Sequence, residues 1–285
     1  MLQIGDCRIV SVLEQEFEPR VDFLFPELDL VSLAGEQSWL EPSHLDFSSG
    51  VVRLAIQSFI VKVDGLTIVV DTGIGEEKPR HRPEWHRRKN TGFLDSLGEH
   101  GAAPETVDLV VCTHIHVDHV GWNTRWMDGS WQPAFPNARY LIPLIERDHM
   151  RAQAEPPSYY ADSVAPLPDT LVEWVQPHHE ICPGLTLVPL PGHSPGMVGL
   201  WIEREGKRAM LCSDALHSPF QLRLPEVSSS LCSDASLART TRRALLSECA
   251  AEDMLLVPAH LREHAAIRVH RDGNVFQPEF VDFVG

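Results

Sequence analysis

Thr113-His114-Ile115-His116-Val117-Asp118-His119 follows a run of apolar β-formers and precedes Gly121. Its three imidazoles and one carboxylate are more than a hydrophobic core wants. Alternate side chains of an extended chain leave on one side. His114 and His116 therefore point together if the strand continues past Thr113, while Asp118 and His119 lie where the backbone turns. One histidine at a strand end is ordinarily a satisfied polar residue. Four ligating groups together have no local structural task, and neutral imidazole and carboxylate suit zinc and its first-row neighbours. The stretch can fill two metal positions if distant residues complete the shells.

Val107 to Cys112 is the apolar strand that delivers this cluster. Upstream, Leu54 to Val63 and Leu66 to Val70 are β-rich runs joined by Asp64-Gly65, a short hairpin signal. The second run ends in Asp71-Thr72-Gly73-Ile74-Gly75, where Asp71 reads as a structural brace, with support of the metal loop as the alternative. Downstream, Leu185 to Leu190 runs into Pro191-Gly192-His193-Ser194-Pro195-Gly196, with one imidazole at the tip of a tight loop. Met197 to Glu203 and Arg208 to Cys212 pair around Glu205-Gly206, and the second strand ends at Ser213-Asp214-Ala215. Ser236 to Ala251 is helical, and Met254 to Val257 leads to Pro258-Ala259-His260. Separate strand ends thus carry His114, His116, Asp118 and His119, then His193, Asp214 and His260, enough for two metals sharing one carboxylate.

Elsewhere Cys7 to Glu14 reads as a first strand. Phe17 to Phe47 is broken by Pro19, Pro26 and Pro42, and its Phe23, Leu24, Phe25, Leu28, Leu30 and Trp39 fit either a surface connection or a lid or subunit contact. Glu76 to Asn90 is a polar loop, and Phe93, Leu94 and Leu97 mark a short helix. Trp122 to Pro136 is expected to be a loop beside the site, its aromatics lining a pocket or packing onto the core. Ala138 to Ile142 is strand-like, Pro143 to Ala154 a helix with an exposed His149, and Glu155 to Pro168 a proline-rich connection. Ile267 to His270 and Asn274 to Phe276 form a closing strand pair.

The chain has 285 residues, 43% of them hydrophobic, which allows a sizeable core in one large domain or two small ones. Forty acidic against twenty-four basic residues give a net charge of −16. Two divalent cations would leave it at about −12, so the surface repels phosphate backbones and argues against a nucleic-acid substrate. The start, Met1-Leu2-Gln3-Ile4-Gly5-Asp6-Cys7, is neither basic nor followed by a long apolar stretch, and no later run reaches membrane-spanning length. Six cysteines occur without C-x-x-C spacing, with Cys112 and Cys212 inside apolar runs as buried free thiols. A soluble, cytoplasmic protein is expected.

The pattern H-x-H-x-D-H, then a histidine in P-G-H-S-P-G, then an aspartate after a strand, then a late P-A-H, resembles the metallo-β-lactamase superfamily over roughly residues 54 to 270. The resemblance implies an α+β fold, the αββα four-layer sandwich of two mixed β-sheets flanked by helices. It would form a single domain over 1–285, with an N-terminal insertion or lid at about 16–50. It implies that His114, His116 and His193 hold one divalent metal and Asp118, His119 and His260 another, with Asp214 bridging. Zn2+ is the expected ion, and Mn2+, Co2+ or Fe2+ are acceptable to such donors.

The run from Thr113 to Asn123, and the stretch from Asp214-Ala215-Leu216-His217-Ser218-Pro219 through Arg242-Arg243, look most like the quorum-quenching acyl-homoserine lactonases and methyl parathion hydrolase-like enzymes. One departure stands out: the lactonases carry a tyrosine three residues after the bridging aspartate, and here that position is His217. It either donates to the substrate or packs in its loop. The implied activity is opening of an N-acyl-homoserine lactone-type ring by a metal-bridging hydroxide, with Asp118 carrying the proton to the leaving alkoxide. The alternatives are an aryl ester or organophosphate triester hydrolase and a non-catalytic metal-binding effector. The expected partner is a small ester or lactone, with neither nucleic acid nor membrane, and the 16–50 segment leaves room for a homodimer.

Overall fold

A computed structural model describes residues 1–262 and 266–283. Contacts divide the chain into two compact units, one of Met1, 6–14 and 56–179, the other of 2–5, 15–55 and 180–285.

A mixed sheet lying mainly in the first unit carries, in this order, Cys7–Phe17 (β1), Leu54–Val63 (β2), Leu66–Val70 (β3), Leu109–Val111 (β4), Arg139–Pro143 (β5) and Val172–Val175 (β6). β2 and β3 pair antiparallel with Val63 opposite Leu66, and β3, β4, β5 and β6 pair in parallel. The hairpin turn works because Asp64 and Gly65 both take positive φ, 51° and 80°, the geometry that matches strand twist. Every residue of β4 is buried, which explains its uninterrupted apolar run. The helix Phe93–Glu99 buries Phe93 and Leu97, one turn apart, in a core with Val69, Val110, Trp122 and Tyr140.

The second unit is built on a seven-stranded mixed sheet, again in chain order: His179–Cys182 (β7), Leu185–Pro189 (β8), Val198–Arg204 (β9), Lys207–Ser213 (β10), Leu255–Pro258 (β11), Ala266–Asp272 (β12) and Val275–Val281 (β13). β10 and β11 are parallel, while β8 with β9, β9 with β10, β11 with β12 and β12 with β13 are antiparallel. The helix Ala235–Ala251 starts where Asp234 accepts the Leu237 amide at 2.9 Å. It buries Ala238, Arg242, Leu245, Leu246 and Cys249 at helical spacing, packing with Met210, Cys212 and Leu256. All six cysteines are free, Cys112 and Cys212 buried as expected. Two mixed sheets with helices agree with the α+β class expected. Among the described residues no helix is long and apolar enough to cross a membrane.

Two local expectations are corrected. The Trp122 to Pro136 stretch is not a plain loop but holds a hairpin, Thr124–Met127 against Ser130–Pro133, turning at Asp128 (φ 50°) and Gly129 (φ 80°) and bearing a Trp126–Trp131 cross-strand pair 5.0 Å apart. The proline-rich connection contains a short helix, Ser158–Ser163, and β6 and β7 follow it without a strong sequence signal. In the 17–47 segment Leu24, Phe25, Leu33 and Leu40 are fully buried, whereas Phe23 is exposed. Short helices Val21–Leu24 and Gln37–Leu40 break its irregular run.

Two backbone turns behind the metal-loop sequence approach closely. Gly121 N donates to Gly73 O and Trp122 N to Thr72 O, both at 2.7 Å. A Cβ on Gly121 would lie 1.9 Å from the Ile74 carbonyl carbon, so only glycine fits. Glu14, wholly buried, accepts the Gly75 amide at 3.2 Å, Trp122 Nε1 at 2.9 Å and Arg88 at 2.8 Å, closing the same turn.

The loop 76–90 hides a buried ionic cluster. Arg80 chelates Asp162 at 2.7 and 3.1 Å, and Lys78 Nζ reaches Thr124 Oγ1 at 2.8 Å and Asp162 O at 3.0 Å, under the Trp131 ring. Burial pushes the Lys78 pKa from its ordinary 10.5 down to about 7; Asp162 opposes the shift and Arg80 adds to it. Between those values the unfolded chain holds a proton that the folded chain has lost, so this group makes stability rise with pH from about 7 towards 10.5. Lys78→Met removes the titration. Denaturant midpoints at about pH 7 and about pH 9.5 should shift the stability difference in favour of wild type at the higher pH, and an unchanged difference would contradict the assignment.

Candidate metal centre

In the first unit Asp71, just past β3, and the Thr113 loop, just past β4, sit at neighbouring ends of parallel strands. Asp71 Oδ1 accepts the Thr113 amide and Oδ2 accepts the Thr113 hydroxyl, both at 2.8 Å. Oδ2 also accepts His119 Nδ1–H at 2.8 Å. The brace and the supporting role read from sequence for Asp71 are thus one arrangement. Since the single Thr113 hydroxyl hydrogen goes to Asp71, Thr113 Oγ1 accepts His114 Nδ1–H at 3.1 Å. That leaves the His114 Nε2 lone pair facing His116 Nδ1, 3.0 Å away. His114 and His119 are buried, while His116 and Asp118 are partly exposed. Asp118 Oδ1 stands 3.8 Å from His119 Nε2. A buried carboxylate, Glu146, accepts the Ile115 amide at 2.9 Å and fixes the loop from the helix Leu144–Ala152.

In the second unit Asp214 follows β10 where its pairing with β11 slips between Leu211 and Ser213, and His260 follows β11. His260 Nδ1–H donates to Ala55 O at 2.8 Å, which turns Nε2 to within 3.1 Å of Asp214 Oδ1. His193 Nε2 lies 3.3 Å from Asp214 Oδ2, and its Nδ1 is 3.7 Å from Cys232 Sγ. The His193 loop is clamped by Ser233 N and Oγ on His193 O at 2.8 and 2.9 Å. His217 Nε2 is also 3.3 Å from Asp214 Oδ2. Burial lowers the His217 pKa, against the opposing pull of Asp214, so its ring is neutral at pH 7.

These donors fit divalent cations. With metal–nitrogen bonds near 2.0–2.1 Å, neighbouring donors in a tetrahedral or octahedral shell stand about 3.0–3.4 Å apart. The His114–His116 and His193–Asp214 separations of 3.0 and 3.3 Å match. Outer partners on Nδ1 of His114, His119 and His260 set the tautomer that leaves Nε2 to bind, a common feature of metal histidines. One potential donor atom each from His193, Asp214 and His217 lie within 4.8 Å of one another.

Sequence reasoning missed Tyr159, on the short helix Ser158–Ser163 pinned by Asp162, whose ring lies edge-on 6.4 Å from that of His116. Burial, then the Glu146 and Asp118 charges, push its phenol up to about 12, so it remains a hydrogen-bond donor at neutral pH. It also missed the roles of Glu146 and Arg242. The guanidinium of Arg242 is buried and donates to Ala215 O, Pro225 O and Val227 O at 2.9, 2.7 and 3.0 Å, holding the loop after Asp214. Only the long apolar spacing of the surrounding helix hinted that position 242 faces inward.

A family model described as the metallo-beta-lactamase superfamily matches residues 51–260. An N-acyl homoserine lactonase of Bacillus thuringiensis is 23% identical over 172 residues, which is 56% of this chain and 63% of that enzyme. The chain thus covers less than two thirds of that relative's length. The N-acyl homoserine lactonase AiiB of Agrobacterium fabrum is 22% identical over 208 residues, 65% of this chain and 72% of its own. Among solved structures, AidC, a dizinc quorum-quenching lactonase in complex with a product, superposes with a TM-score of 0.80 at 17% identity, covering 100% of this chain and 97% of that one. A probable metal-dependent hydrolase from Staphylococcus aureus gives 0.79 at 17% identity, with both chains covered in full. At such identity these likenesses concern the fold.

Asp71→Asn keeps the shape of the Thr113 brace but removes the charge behind His119. Its divalent-cation affinity, measured by chelator competition, should fall about 10–100-fold with the fold intact.

Proposed function

The chain belongs to the metallo-beta-lactamase superfamily, and from that we propose that it is a divalent-metal hydrolase opening a lactone of the N-acyl-homoserine type. The observation that carries this reading is the set of imidazoles already turned, by partners on their outer nitrogens, to present lone pairs beside carboxylates at strand ends. The relatives named as lactonases support the substrate class. We assign ligation to His114, His116, Asp118 and His119 of the first unit and to His193, Asp214 and His260 of the second, with two cations, Zn2+ foremost. Such cations supply Lewis acidity at the ester carbonyl and activate water at neutral pH.

The residues do the rest. Asp71 and Thr113 hold His119 and His114 in the neutral tautomer that keeps Nε2 unprotonated. Asp118, the partly exposed carboxylate of the set, takes the proton of the attacking water and delivers it to the departing ring oxygen, so that C–O cleavage yields a hydroxy acid. No serine or cysteine nucleophile is used; Cys112 and Cys212 are buried thiols with pKa values pushed up by desolvation. Six free thiols fit a reducing compartment, and we place the protein in the cytoplasm.

The same chemistry acts on aryl esters and organophosphate triesters, and His217 in the tyrosine position keeps those substrates in view. The decisive experiment gives cation-replete protein acyl-homoserine lactones of several chain lengths, nitrophenyl esters and methyl parathion, each beside a chelated control. Fastest turnover is expected on the lactones and none after chelation. A preference for esters or phosphotriesters would overturn the substrate, and no turnover of any would leave a metal-binding effector. Asp118→Asn should keep fold and most metal while turnover drops about 10²–10⁴-fold; near-wild-type rates would remove Asp118 from the proton path.

A further inference from the structure

His217 lies in the turn after β10, three residues beyond Asp214, and its backbone is fixed with unusual thoroughness. The His217 and Ser218 amides donate to Gln221 Oε1 at 2.8 and 3.2 Å, and Gln221 Nε2 in turn donates to Val227 O at 2.8 Å. Arg242 binds Ala215 O on one side of the turn and Pro225 O and Val227 O on the other. Phe25 packs edge-on against the imidazole at 6.2 Å. The ring therefore has one place to be.

That place is buried, with His217 2% exposed; Nδ1 has no hydrogen-bond partner among the described residues, and Nε2 faces the Asp214 carboxylate. Burying a polar group without a matched partner is unfavourable, and an apolar ring packed against Phe25 would avoid that. A histidine kept there at such cost implies a partner of another kind. Nε2 stands 3.3 Å from Asp214 Oδ2 without the alignment of a hydrogen bond, and the same oxygen is 3.3 Å from His193 Nε2. The His193 and His217 rings are 4.8 Å apart, centre to centre, on the same carboxylate. Both separations fall within the roughly 3.0–3.4 Å that neighbouring donors keep around a shared cation.

We propose that His217 is a metal ligand that joins His193 and Asp214 on a Zn2+-like cation. The inference rests on the reading above that the protein holds divalent cations. It gives His217 to the metal, where the sequence pattern left it between donating to the substrate and packing in its loop.

The test uses the full-length chain as wild type, His217→Ala and His217→Tyr, loaded with Zn2+ or Co2+. Chelator competition should show one bound cation weakened at least about 100-fold in both variants, beyond the 10–100-fold typical of residues that only orient a ligand. Affinities within about threefold of wild type would overturn the proposal. If the substitutions unfold the chain, wild-type protein with 15N-labelled histidine and bound Co2+ gives a separate answer. The His217 imidazole resonance should be hyperfine-shifted along with that of His193; an unshifted His217 beside a shifted His193 would overturn the proposal. Wild type binding no divalent cation would bring down the hydrolase reading as well, whereas two tight cations that ignore His217 would sink this inference alone.

Discussion

The carboxylate of Asp71 organises the histidine-bearing loop of the first unit. It sits at the end of β3 with a positive φ of 57° and ties down the Thr113 amide, the Thr113 hydroxyl and the His119 ring, all at 2.8 Å. Through Thr113 it also dictates the tautomer of His114. One buried acid thus converts a flexible run of histidines into a set of aimed lone pairs. A neutral amide in its place could accept from Thr113 yet could not supply the charge that raises the basicity of His119.

The second unit reaches the same end by other means. His260 is turned by a backbone carbonyl, Ala55 O, and His193 lies on a loop clamped by Ser233. Here the carboxylate is the inner group: Asp214 is the point on which His193, His217 and His260 converge. Each unit also places its polar side chains where parallel strands end, Asp71 and the Thr113 loop after β3 and β4 in one, Asp214 and His260 after β10 and β11 in the other. At such ends the backbone must leave the sheet, and side chains gain freedom to point along the strand axis rather than across it.

How much of this was legible depended on how far each residue's partner lies along the chain. The Asp64-Gly65 hairpin, the helix read over Ser236 to Ala251 and the polar residues following apolar runs are local signals, and they matched the structure closely. The Trp122 to Pro136 hairpin carried the same Asp-Gly signal at Asp128-Gly129, but its polar, tryptophan-rich arms lack the apolar alternation that marks a half-buried strand. Lys78 reads as a solvated loop cation because its acid, Asp162, is 84 residues away, and the helix Ser158–Ser163 is too short for a periodic pattern. His217 was visible as a departure from a family pattern. Its burial and its distance to Asp214 were not, because they follow from the Gln221 and Arg242 hydrogen bonds that no spacing announces.

The close approach at Gly121 limits what this scaffold can become. The turn bearing His119 and the turn after Asp71 touch backbone to backbone there, with no side chain to act as a spacer. Variation must therefore arise in the side chains around this loop, for example at Tyr159 beside His116. The distance between acid and imidazole behaves as a hard-wired dimension of the molecule, inherited whole or lost whole.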